Sequence, residues 1–195
     1  DAGIGLRLIQ VLLGFLALVV VLVLPFTALQ FKGLKDPEAM DCAQLGRNLM
    51  QQKRFVTQVV RPASLQFMTQ HSPSHRPAVE RHPDLFHAPV YPALLAGVFS
   101  LYPPALAPDQ KPGSITPEQV MIVPLNHIFV LLTGAWVFLI GRRLFTPRVA
   151  LLGVAAYYLS RLVWDDSITG DGMPVVGFFA AGAFYLAIVS VDARR

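Results

Sequence analysis

Charge is scarce in this chain. Asp, Glu, Lys and Arg make up 14% of its 195 residues, against about a quarter in an average soluble domain. With 54% hydrophobic residues and a mean hydropathy of +0.52, so few charges cannot coat a soluble surface, and the composition is that of a polytopic membrane protein. Cysteine is nearly absent: Cys42 stands alone, which excludes an internal disulfide and leaves the redox compartment unreadable. No internal repeat is present. The net charge of +4 is spread over loops without a continuous basic face, so it gives no evidence of nucleic-acid binding, and no nucleic-acid partner is expected.

What the chain has instead is long apolar runs, which predict an all-α, polytopic transmembrane helical bundle. Residues 1–31 predict a first transmembrane helix; Val11 to Leu29 is apolar apart from Thr27 and long enough to cross a bilayer. Residues 32–84 form a large extramembrane loop. Leu85 to Tyr102 is a short membrane-inserted segment interrupted by Pro89 and Pro92. Residues 103–118 are a Pro-rich connector. Residues 119–195 then predict three transmembrane helices, over Gln119–Gly141, Val149–Trp164 and Met173–Val191. Helix is the spanning form because lipid leaves no free backbone group satisfied.

Arg142, Arg143 and Arg148 place the loop after the 119–141 helix in the cytoplasm, and the acidic Asp165–Gly172 turn is expected outside. The large loop joins that turn on the non-cytoplasmic face if 85–102 does not fully cross; if it crosses, Glu38 and Asp171 lie on opposite faces. A bacterial-type inner membrane is the expected location.

The large loop carries the polar chemistry. Asp36-Pro37 is a helix start, and Ala39, Cys42, Ala43, Gly46, Leu49 and Met50 make an apolar stripe at helical spacing. The pattern predicts an amphipathic helix over about 37–52, lying on the membrane with Glu38, Asp41 and Asn48 turned away. The two acids either complement the helix start or carry chemistry. His71, His75, His82 and His87 follow, beside Glu80 and Asp84. A divalent metal is possible there, but the spacing matches no zinc pattern and prolines interrupt it, so solvated histidines are expected. Asp171, in T-G-D-G-M-P, is either a helix cap or an acid at the membrane boundary. Arg161 and Trp164 suit interfacial anchors. Gly177 with Ala181, and Ala183 with Ala187, permit close helix contact within the bundle or with other subunits.

Several of these motifs resemble a known family. P-E-A-M-D-C-A-Q-L-G-R-N-L, then F-V-T, then H-P-D-L-F-H-A-P-V-Y-P-A-L-L-A resemble the first external loop of GT-C membrane glycosyltransferases of the protein O-mannosyltransferase and aminoarabinose-transferase-like group. The run L-I-G-R-R-L-F-T-P-R-V-A-L-L-G-V-A-A-Y-Y-L-S and the acid of G-D-G-M-P resemble that group as well. The resemblance implies transfer of a sugar from a polyprenyl-phosphate carrier at the outer membrane face. Aligned on Arg47, the family's loop acid, which acts on the acceptor or on a bound metal, falls on Glu38 where Asp is usual; Asp41 is a nearby substitute. His87 falls where the family has His or Lys before a Pro pair, here Ala88-Pro89. His87 and Arg47 would then contact the carrier phosphate, and Asp171 would be a second acid.

Membrane lipid, a polyprenyl-phosphate sugar and other membrane subunits are the implied partners. The altered acid pair Glu38-Ala39 and the count of about five apolar segments lead to the expectation of a shortened, non-catalytic relative. An N-terminal piece of an active transferase and an accessory subunit of a larger complex stay open as alternatives.

Overall fold

The computed structural model describes residues 21, 23, 25–71, 82–101 and 117–193. The expected first transmembrane helix lies mostly outside these residues, as do His75, Glu80 and nearly all of the Pro-rich connector. Residues 1–32 form a unit of their own. Its described part is helical over 25–30, and the Phe31 N–H closes the last turn on the Thr27 carbonyl at 2.8 Å.

The second unit, residues 33–195, is predominantly α-helical, as the apolar runs require. Helix α1, Pro37–Gln52, starts where Asp36 accepts a hydrogen bond from the Glu38 N–H at 3.1 Å, with Pro37 in the first turn. It ends at Lys53, whose left-handed backbone turns its N–H to the Leu49 carbonyl. Helix α2 is Pro62–His71 and α3 is Val90–Leu101. Between them lies a short antiparallel ribbon that the apolar patterning does not announce. Strand β1, Val56–Thr57, pairs with β2, His82–Pro83, in the register Val56↔Pro83.

The apolar stripe of α1 packs on α3 rather than on lipid. Ala39, Cys42, Ala43, Leu45 and Gly46 are buried, as are Tyr91, Leu95 and Phe99 on α3. A Cβ on Gly46 would come within 2.8 Å of the Leu95 Cβ, so only glycine allows this crossing. Asn48, expected on the polar face, is also buried; its side-chain amide donates to the Val56 carbonyl at 2.8 Å and holds β1 against α1.

The remaining helices are α4, Pro117–Leu144; α5, Pro147–Leu159; α6, Arg161–Thr169; and α7, Met173–Asp192. Two of the described helices are long and apolar enough to cross a membrane: Val120–Leu144 and Met173–Asp192. They run parallel. Phe129 meets Phe178, Trp136 meets Tyr185, and Arg143 donates to Asp192 at 2.9 Å, both numberings rising together.

The return path between them is where the expected single segment Val149–Trp164 fails. The chain does run back along α4, with Ala150 against Gly141, Tyr158 donating to the Leu131 carbonyl at 2.8 Å, and Ser167 beside His127. It does so as two helices broken at Ser160, whose backbone is extended. Trp164 sits at this break rather than acting as a free anchor: its indole N–H donates to the Tyr158 carbonyl at 2.6 Å, an acceptor that the end of α5 leaves without a helical partner. The basic loop and the end of α7 therefore share one end of the molecule, and the Gly170–Gly172 turn lies at the other.

Candidate functional site

At that second end, three segments far apart in sequence meet. Gly170 ends α6 with φ +86°, a left-handed conformation that favours glycine, and a side chain there would collide with Leu34. The turn is held from below by α4. The Asn126 side-chain N–H donates to the Asp171 carbonyl at 3.0 Å. The Tyr91 hydroxyl lies 2.8 Å from the Gly170 carbonyl and 3.1 Å from Asn126 Oδ1. Asn126 is fully buried, so this network ties α3, α4 and the turn together where water cannot compete.

Above the network is a cavity of about 500 Å³, lined by Glu38 and Cys42 of α1, by Phe86, His87 and Tyr91, and by Asp171 with the first two turns of α7. Glu38, His87 and Asp171 are thus brought to one site, which puts Glu38 and Asp171 at the same end of the molecule. The other two expected site residues are not on its wall. Asp41 is engaged by the Arg61 guanidinium at 3.0 Å, and Arg61 also lies 3.9 Å over the Phe86 ring. Arg47 is half-buried and away from the cavity. Asp41 and Cys42 flank Glu38 on opposite sides, about 100° apart around the helix, so Cys42 turns to the cavity while Asp41 turns to Arg61.

The acids in the cavity differ in setting. Glu38 is exposed. The Asp171 carboxyl is held above the usual carboxylate range by burial; the Met173 N–H and Thr169 oppose that, and Asp166 and Asp36 add to it. Cys42 is pushed up to about 12 by burial, helped by Glu38, Asp41, Asp84 and Asp171, so its thiol stays protonated and unreactive at neutral pH.

His87 is tied to Asp84, with Nδ1 2.5 Å from Asp84 Oδ2. His82, expected to be solvated, is instead 1% exposed within the ribbon. Among the described residues, no group of three or more His, Cys, Asp and Glu side chains is placed to hold a metal ion. Patterning alone could not single out Asp84 and Tyr91; only a buried partner gives them a role.

Comparison with protein-family models, with curated proteins and with solved structures gives no match to this chain.

Proposed function

We propose that this chain is a polytopic membrane protein carrying the acid-bearing part of a GT-C-type site, in which a sugar passes from a polyprenyl-phosphate carrier to an acceptor. One observation carries the reading: Glu38, His87 and Asp171, three of the five residues that the motif resemblance names, line a single cavity. The cavity wall continues onto the exposed apolar face of α7 at Val176 and Phe179, which suits a ligand with a polar head and a long apolar chain.

In this reading Glu38 takes the proton of the acceptor group as that group attacks the anomeric carbon. The bond from that carbon to the phosphate oxygen breaks, and the carrier leaves as polyprenyl phosphate. Asp171, a half-buried acid at the cavity floor, orients the sugar. The Arg142–Arg148 end faces the cytoplasm and the cavity the opposite side, in a bacterial-type inner membrane.

The test is a transfer assay in native membranes with a polyprenyl-phosphate sugar. Glu38→Gln should lower transfer about 10²–10⁴-fold, the usual contribution of a positioned acid or base, while Asp41→Asn should retain most of it. Full activity in folded Glu38→Gln would end the proposal.

A second reading, a non-catalytic subunit docked through α7 in a larger membrane complex, is favoured by the thin cover of that helix, 17% of whose most apolar stretch is buried. Migration as a small monomer after mild detergent extraction, with transfer activity intact, would remove it.

A further inference from the structure

The return path along α4 carries charge at a level where the chain is otherwise apolar. Tyr158 meets the Leu131 carbonyl and Ser167 lies beside His127. Arg161, between them, therefore sits at a level inside the Val120–Leu144 span rather than at its edge, where an interfacial anchor would lie. Its side chain is 88% exposed, and its Nε–H donates at 3.2 Å to Asp165, one turn on, which is 47% exposed. Arg161, Leu162 and Asp165 share the face of α6 opposite the buried Ser167. Leu162 and Leu159, the last residue before the break, are both exposed. On α5, Leu152, Ala155 and Ala156 are exposed with Leu159 at helical spacing, on the side away from Ala150, which packs on Gly141.

An ion pair open to hydrocarbon is costly, so this face needs cover that is polar at one point and apolar around it. The pair itself specifies that cover. A partner bearing one sign of charge would meet its like in half of the pair. A second copy brings both signs, because a twofold axis turns a patch onto itself, so that residue i meets j and j meets i. With the axis along the membrane normal, Arg161 of one copy comes beside the partner's Asp165, and Asp165 beside the partner's Arg161. Each charge gains a second opposite neighbour in a low-dielectric contact. Leu152, Leu159 and Leu162 close around the charges, and Ala155 and Ala156 let the helices approach.

We infer that the outward face of α5 and α6 is a contact between two copies of this chain, centred on reciprocal Arg161–Asp165 pairs. No residue of this face lines the cavity, so the contact leaves the cavity of each copy open. The inference rests on the membrane reading and not on sugar transfer.

The experiment is disulfide cross-linking of the full chain in native membranes, in a Cys42→Ala background. Leu159→Cys and Leu162→Cys are tested one at a time. At one or both positions the product should have twice the chain mass and join two differently tagged copies. Leu186→Cys, similarly exposed on α7, should give only the product of random collision. Arg161→Asp and Asp165→Arg, each added separately to the cross-linking chain, set like charges face to face and should lower the product about tenfold or more. Expressed together, the all-acid and the all-base copies should cross-link to each other at the level of the unaltered pair.

A product no greater than that of Leu186→Cys, a product joined to a different protein in place of a second copy, or no recovery in the mixed pair when both variants reach the membrane would each overturn the inference. If the charge variants do not reach the membrane, the cysteine comparison and the tags decide. None of these readings requires transfer, so a failed transfer assay leaves this result interpretable by itself.

Discussion

The helices α4 and α7 are nearly equal in hydropathy and unequal in place. Their most apolar 18-residue windows have mean hydropathies of 1.9 and 2.0, yet 39% of the first is buried and 17% of the second. Helix α4 is the inner element, touched by α3, α5, α6 and α7, and it buries Asn126, His127 and Thr133. Helix α7 meets α4 along one face and leaves Val176, Phe179, Phe184 and Leu186 uncovered. Hydropathy therefore says that either helix suits an apolar medium, while the buried polar groups say which one organises the site.

The sharpest way to break this comparison is to truncate one side chain on each helix, a buried polar one on α4 and an exposed apolar one on α7. Asn126→Ala strips the Asp171 carbonyl of its donor and the Tyr91 hydroxyl of a neighbour. An unsatisfied buried group costs about 1–3 kcal/mol, so a loss of about 2–4 kcal/mol is expected in reversible unfolding from detergent. Val176→Ala, on the uncovered face of α7, should change stability by less than about 0.5 kcal/mol. Equal effects would mean that the two helices are equally embedded.

A smaller contrast lies within α7. A Cβ on Gly182 would sit 3.3 Å from the Trp136 ring, whereas one on Gly177 would meet nothing within 4 Å. Gly182→Leu should destabilise by about 1–3 kcal/mol through overpacking. Gly177→Ala should be neutral or stabilise by up to about 1 kcal/mol, the helix-propensity gain. Of the small residues expected to allow close approach, Ala183 and Ala187 are exposed; the close contact is made by Gly182, which falls outside that spacing.

The smallest effect concerns the Asp171 carboxyl at the cavity floor. Its folded-state pKa lies above the ordinary value, so the folded protein binds more protons than the unfolded chain across that window. Stability is then lost as pH rises from the ordinary carboxylate pKa through the raised one. Asp171→Asn can keep the bond from the Met173 N–H, 3.1 Å long in the wild type, and removes the ionisation. It should raise the melting temperature modestly at neutral pH, and the gain should vanish at pH values below the ordinary carboxylate pKa. A gain that persists in acid would show that Asp171 is not held in its raised state by burial.

Much of this was legible in the chain itself. Apolar runs over residues 119–141 and 173–191 predicted two long helices because crossing a bilayer requires unbroken length, and length is a local property. The start of α1 was legible in Asp36-Pro37 because capping is settled within one turn. Of the candidate site, Glu38, His87 and Asp171 were named from motif likeness, and Asp41 could not be separated from Glu38. The break at Ser160 was not legible, since Val149–Trp164 is apolar throughout most of its length and the indole N–H that satisfies the broken end comes from a residue six positions away.

What local sequence determined, then, is which stretches are helical and which ends carry charge, because helix length, caps and basic loops depend on neighbours within a few residues. What only the tertiary structure decided is who covers whom. The stripe of α1 could equally have met lipid, and it meets α3 because Gly46 lets the two helices cross closely. Contacts between residues tens of positions apart, such as Tyr91 with Gly170, arise from packing and leave no periodic mark in the chain.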